Sequence, residues 1–177
     1  MKTFYELIVA INHDPVIGID QYIPWKNKNN MQHFCETTAG HILIMGRKTF
    51  DSLPNSRPLN NRIHVVLTNS PDKYDALYSD NDSVFFTRFD RLDDLMKCIW
   101  AIYPEKRAFV CGGEETYRIL LPRCSKLHIM HDISDIQQHV TKFPALINIL
   151  SQFRKTDAIY WDDSCRKVVY ESVETPI

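Results

Sequence analysis

A chain of 177 residues with 44% apolar and 24% charged side chains is long enough to bury a substantial core, and this ordinary globular usage excludes fibrous and disordered classes. Its 21 Lys and Arg stand against 22 Asp and Glu, for a formal net charge of −1. No stretch concentrates cations, so the footprint of a nucleic-acid or membrane-surface binder is missing and small molecules are the expected partners.

Five cysteines, Cys35, Cys98, Cys111, Cys124 and Cys165, are odd in number and never spaced as C-x-x-C. That spacing indicates neither a disulfide framework nor a zinc site, and it fits a reducing, cytoplasmic setting. The apolar run from Phe4 to Ile11 is interrupted by Glu6 and lacks a cleavage-like small-residue site, which argues against a signal peptide. No run approaches membrane-spanning length. One domain over residues 1–177, acting as a monomer, is expected.

In chain order, Tyr5 to Ile11 is a short apolar run closed by Asn12-His13-Asp14-Pro15, the pattern of a buried strand followed by a loop. The segment Val16 to Trp25 reads as an unusually apolar loop, either a lid over a cleft or, at Trp25, a core plug. Further short apolar runs at Ile42–Met45, Ile63–Leu67, Val84–Phe86, Ala108–Cys111 and Leu127–Ile129 read as strands. Helical patterns lie between them, at about Lys28–Thr38, Arg47–Leu53, Arg91–Ile102, Glu114–Leu121 and Ala145–Phe153. Alternating strands and helices imply βαβ crossovers and a mainly parallel sheet. At the end, Asp157–Trp161 and Lys167–Val173 flank Asp162-Asp163-Ser164, a terminal antiparallel hairpin expected at one sheet edge.

Two turns carry chemistry. Gly112-Gly113 follows the strand ending at Cys111 and precedes a helix starting at Glu114, an arrangement that brings bare N–H groups and a helix dipole toward a phosphate. Taken alone it is equally well a structural turn, and Glu114 and Glu115 rule out the G-x-G-x-x-G fingerprint. The second turn, Gly46-Arg47-Lys48-Thr49, puts two cations and a hydroxyl at a helix start, where they could hold phosphate or merely be solvated. Two such turns in one small α/β domain suggest a dinucleotide. Arg62, just before a strand, is placed to pair with a substrate carboxylate.

Taken in order, Val16-Ile17-Gly18, Ile23-Pro24-Trp25, the run from Ile44 to Ser52, Arg57-Pro58-Leu59, Arg62, Gly112-Gly113 and Tyr117 resemble dihydrofolate reductase, with a looser match at Phe143-Pro144. The resemblance spans nearly the whole chain and keeps the short bacterial spacing from Trp25 to Phe34. It implies an α/β fold with an eight-stranded, mostly parallel twisted sheet, flanking helices and a C-terminal antiparallel hairpin. It also implies NADPH-dependent reduction of 7,8-dihydrofolate to tetrahydrofolate, a step in one-carbon metabolism and the target of antifolates.

By that resemblance Arg47, Lys48 and Thr49 would grip the cofactor phosphates, with Thr68 and Asn69 beside the adenosine 2′-phosphate. Ala10, Ile17, Gly18, Cys111, Gly112, Gly113, Glu114, Glu115, Thr116 and Tyr117 would form the nicotinamide and pyrophosphate side, the two glycines joined by a cis peptide. Ile8, Val9, Met31, Phe34, Leu53, Leu59 and Met130 would line the substrate cleft, Arg62 would bind the glutamate α-carboxylate, and Trp25 and the residue five positions on would sit at the chemistry.

That last residue is Asn30, where the family has a buried Asp or Glu. A carboxylate there accepts from both the ring N–H and the 2-amino group and favours protonation of the substrate, whereas an amide has a single accepting oxygen. Met130 and Val140 also replace polar positions. Asp132 has the right strand parity to replace the lost acid, but a solvent-facing placement is expected. Glu36 falls on another helix face. The leading expectation is an acid-compromised reductase. The alternatives are a non-enzymatic folate- or NADPH-binding module and a reductase of another pterin or an aminopyrimidine.

Overall fold

The computed structural model describes residues 5–12, 16–18, 27–75, 77–132, 141–142, 150–162 and 165–173. In chain order the elements are β1 (Tyr5–Ile11), β2 (Val16–Gly18), α1 (Lys28–Thr38), β3 (Ile42–Gly46), α2 (Arg47–Asp51), β4 (Ile63–Leu67), α3 (Asp72–Asp75), β5 (Val84–Thr87), α4 (Leu92–Ile102), β6 (Ala108–Val110), α5 (Glu114–Leu120), β7 (Cys124–Asp132), β8 (Thr141–Lys142), β9 (Phe153–Asp162) and β10 (Cys165–Ser172).

Eight strands form one sheet in the order β5-β4-β3-β6-β1-β7-β10-β9. All pairings from β5 to β7 are parallel, and only β10 runs against its neighbours, so the expected mostly parallel sheet with a terminal antiparallel hairpin is what the chain adopts. The short strands β2 and β8 pair in a separate two-stranded sheet that the apolar patterning did not flag.

Side-chain alternation divides the core in two. Tyr5, Leu7, Val9 and Ile11 of β1 pack on one face with Leu92, Met96 and Ile99 of α4 and Leu120 of α5. These α4 positions recur at helical spacing, and each fully buried apolar side chain contributes roughly 1.5–3 kcal/mol. Ile8 points to the other face, among Leu43, Met45, Phe50, Val66, Phe86 and Phe109. There the covering helix α1 buries polar residues, Asn30, His33 and Thr38.

Several boundaries differ from the sequence expectation. β7 runs over Cys124–Asp132 rather than Leu127–Ile129, because pairing with β1 on one side and β10 on the other supports polar residues at both ends. α2 stops at Asp51, with Ser52 as its cap and a 3-10 turn at Pro54–Ser56. Most of the expected helix Ala145–Phe153 lies outside the described residues, but Phe153 itself is the first residue of β9, paired with Ser172.

Two buried histidines under the sheet set an acid limit on stability. Burial pushes the pKa of His33 down to about 4, helped by the charges of Lys167 and His128. Burial does the same to His64, also to about 4; its Nε2 accepts the Leu59 N–H at 3.1 Å and so must be unprotonated. A folded-state pKa below the unfolded value means that the unfolded chain takes up the proton first as pH falls. The stabilisation is therefore present above about pH 6.5 and is lost between there and about pH 4. Urea midpoints are expected to fall steadily from pH 7 to pH 4.5, and a flat profile down to pH 5 would contradict this account.

Candidate active site

The carboxyl ends of β1, β3, β6 and β7 open onto one edge of the sheet around the point where strand order reverses, the place where open α/β sheets bind ligands. The two glycine turns meet there. The Gly46 N–H donates to the Gly112 carbonyl at 2.8 Å, and the Gly112–Gly113 peptide is cis. A Cβ at Gly113 would lie 3.2 Å from Thr49 Oγ1, and one at Gly46 would lie 3.0 Å from Thr116 Oγ1, so each turn is shaped to receive the other's hydroxyl. Neither α2 nor α5 has a side-chain cap, which leaves N-terminal N–H groups bare beside these turns.

Around this junction Arg47 is paired with Asp51, while Lys48 is exposed. Thr68 Oγ1 accepts the Ser70 N–H, and Asn69 is exposed. Glu114 and Glu115 are exposed on α5, and Arg118 engages Glu115 at 2.5 Å. Tyr117 is buried and donates its hydroxyl to the Ile8 carbonyl at 3.0 Å, tying α5 to β1. Burial pushes the Cys111 thiol up to about 12, so it stays protonated. Ala10 shares the face of Ile8 by strand alternation.

The second half of the site lies between α1 and the strands. Ile8 is buried, with Phe34, Leu53 and Leu59 half-buried around it. Met31 is 60% exposed. Val9 does not join this group: its side chain packs in the opposite core with Leu7 and Ile11, because neighbouring strand residues point to opposite faces. Met130 is buried on β7, opposite Ala10 and Lys167. Arg62 is held by neutral oxygens alone, Thr38 Oγ1 at 3.0 Å, the Asn60 carbonyl at 2.7 Å and the Cys35 carbonyl at 2.9 Å. No carboxylate pairs with it among the described residues.

Asn30 lies on the inner face of α1, and its Oδ1 accepts the Cys165 thiol at 3.0 Å. Its Nδ2 is buried without a hydrogen-bond partner among the described residues. Leaving a donor in that state costs about 1–3 kcal/mol. Asn27 caps the helix: its Oδ1 accepts the N–H groups of Asn29 at 2.9 Å and Asn30 at 3.4 Å.

Asp132 corrects the sequence expectation. It is only 4% exposed rather than solvent-facing, and its Oδ2 accepts from Asn27 Nδ2 at 3.0 Å. Beneath α1 lie Glu6 and His128, joined at 2.7 Å. Burial alone would raise the Glu6 carboxyl, but the His128 hydrogen bond and the Arg107 charge outweigh it and hold the group below the usual range. Trp25 and Val140 lie outside the described residues, as does Phe143-Pro144, while Ile17 and Gly18 are seen only as backbone of β2. Sequence reasoning missed Cys165 and Asn27 as neighbours of Asn30, because both contacts depend on how α1 sits over strands at the far end of the chain.

Among solved structures, a dihydrofolate reductase from Enterococcus faecalis complexed with NADP(H) and RAB-propyl superimposes with a TM-score of 0.75 over 98% of both chains, at 23% identity. That likeness establishes the shared fold. Residues 4–174 match the dihydrofolate reductase family. The dihydrofolate reductase of Bacillus subtilis is 33% identical over 138 residues, 77% of this chain and 74% of the relative. That of Mycobacterium leprae is 32% identical over 142 residues, 76% of this chain and 79% of the relative. This chain belongs to the dihydrofolate reductase family.

Proposed function

We propose that this protein reduces 7,8-dihydrofolate to tetrahydrofolate with NADPH, and that it does so without a carboxylate at residue 30. The observation that carries the second half is the buried Asn30 amide, its oxygen taken by Cys165 and its nitrogen unpartnered. The interlocked turns support the cofactor: backbone at Gly112 and Gly113 packs tightly on Thr49, next to helix starts with bare N–H groups. When bound, NADPH supplies the hydride.

In this reading Arg47, Lys48 and Thr49, with Thr68 and Asn69, hold the cofactor phosphates, and Ala10, Gly112, Gly113, Thr116 and Tyr117 shape the nicotinamide side. Ile8, Phe34, Leu53 and Leu59, together with Met31 and Met130, exclude water from the pteridine. Arg62, held among the described residues by neutral oxygens, presents its guanidinium to the glutamate carboxylate. Val9 contributes backbone alone. Asn30 can orient the ring but cannot hold a proton at pH 7, so the proton that balances the hydride enters from solvent. One domain, working as a monomer on a small molecule, completes the reading. Five cysteines free of disulfides fit a reducing compartment such as the cytoplasm, and no described helix is long and apolar enough to cross a membrane.

Dihydrofolate-dependent NADPH oxidation is expected to be slow but measurable, rising as pH falls from 8 toward 5.5 with a limit of about tenfold per unit. The histidine-linked loss of stability, which sets in below about pH 6.5, cuts the rise short at the acid end. Arg62→Gln is expected to raise KM for dihydrofolate at least about tenfold while leaving KM for NADPH unchanged. The absence of turnover between pH 5 and 8 would remove the proposal. A second reading, a reductase of another pterin or an aminopyrimidine, is favoured by the unpartnered Nδ2, which asks for an acceptor on the ligand edge. Competition between dihydrofolate and such compounds in the same assay separates the two.

A further inference from the structure

We propose that Asp132 is a positioning residue that supplies, from the end of β7, the negative charge absent at residue 30; the proposal rests on the pteridine-reducing reading above. Four residues from three elements close a ring of contacts. Asp132 Oδ2 accepts from Asn27 Nδ2 at 3.0 Å, and Asn27 Oδ1 accepts the Asn30 N–H at 3.4 Å. The Asn30 Oδ1 accepts the Cys165 thiol at 3.0 Å, and Cys165 is the direct ladder partner of Asp132. The carboxylate is thus one hydrogen-bonded residue from the Asn30 backbone and one strand from the thiol that fixes its amide.

Strand geometry aims the charge at the cleft. His128, Met130 and Asp132 share one face of β7, and the first two stand opposite Ile8 and Ala10 of β1, the face that α1 covers. Asp132 gives Asn27 Nδ2 an acceptor in the α1 cap, a task that a neutral amide also performs. Burying a carboxylate costs more than burying an amide, even when it is hydrogen-bonded. A charge near the α1 N-terminus interacts favourably with the helix dipole, and its field in a water-poor cleft also favours the protonated form of a bound pteridine. Described titratable groups on this face include His33 of α1, with exposed Glu36 near it, Glu6 of β1, Lys126 and His128 of β7, Cys165, Lys167 and Glu171 of β10, Asp157 of β9 and, farther along the sheet, Arg107, Cys111 and His64. Of these, Glu6 is engaged with His128 and Arg107, Lys126 with Glu171, and Lys167 lies 3.9 Å from Asp157.

The test is Asp132→Asn, which removes the charge and keeps an oxygen for Asn27. Expected are a loss of about tenfold in kcat with dihydrofolate at pH 7, a steeper rise of rate toward acid, unchanged KM for NADPH and a melting temperature near that of the parent. In an Asn30→Asp background the same substitution should change kcat less than about twofold, because the charge has been returned to α1. Equal losses in both backgrounds, or a loss that tracks melting temperature, would overturn the proposal in favour of a structural anchor. Titration with a protonated 2,4-diaminopyrimidine gives a readout independent of turnover. A tenfold weakening in Asp132→Asn supports the charge role even where dihydrofolate is not the substrate, whereas unchanged affinity overturns it. Failure of dihydrofolate turnover in the parent and in Asn30→Asp alike rejects the reductase reading alone.

Discussion

Asn30→Asp is expected to raise kcat/KM for dihydrofolate at pH 7 at least about tenfold and to flatten the dependence on pH. The substitution acts on two terms at once. It removes a buried amide nitrogen that has no acceptor among the described residues, a defect of about 1–3 kcal/mol, and it keeps an oxygen for the Cys165 thiol at 3.0 Å. It also places an ionisable group where burial raises a carboxyl pKa, so that the group can hold a proton nearer neutrality. About 1.4 kcal/mol of added transition-state stabilisation is a factor of ten. An Asn30→Asp rate that fails to exceed the parent's at any pH would show that residue 30 is not where proton supply is limited.

Weak inhibition by 2,4-diaminopyrimidine antifolates is the second large expectation. Protonated at N1, such a compound offers a charged N–H and an amino N–H side by side. A carboxylate accepts both. The Asn30 amide brings an oxygen already engaged by Cys165 and an NH2 that opposes those donors. Losing one partner of a buried charged pair costs about 3–5 kcal/mol, on the order of a hundredfold or more in Kd. Asn30→Asp should recover at least a hundredfold. Nanomolar inhibition of the unmodified protein, measured by competition against dihydrofolate, would mean that the amide does not face the ring as described.

Much of the fold is visible in local patterning. β1 coincides with the apolar run from Tyr5 to Ile11, which gives way to polar Asn12, and α1 begins after Asn27, a residue suited to capping. The two glycine turns are legible for a similar reason: a strand, small residues and a helix start follow one another locally. The apolar run Leu127–Ile129 marks only the middle of β7, since its polar ends look like loop until neighbours on both sides pair with them. Val9 was read into the cleft from its place beside Ile8, although strand alternation turns it to the opposite core.

Residue identity along the chain therefore specifies the order of strands and helices, the two glycine turns and an amide at residue 30. It does not specify what surrounds that amide. Asn27 meets Asp132 across 105 positions, and Asn30 meets Cys165 across 135. Those contacts depend on the register of β7 against β1 and β10 and on the seat of α1 above them. A register shift of one residue would turn Asp132 to the opposite face, where Leu127 and Ile129 pack, so a buried carboxylate beside an amide becomes visible only when the packed sheet has chosen its faces.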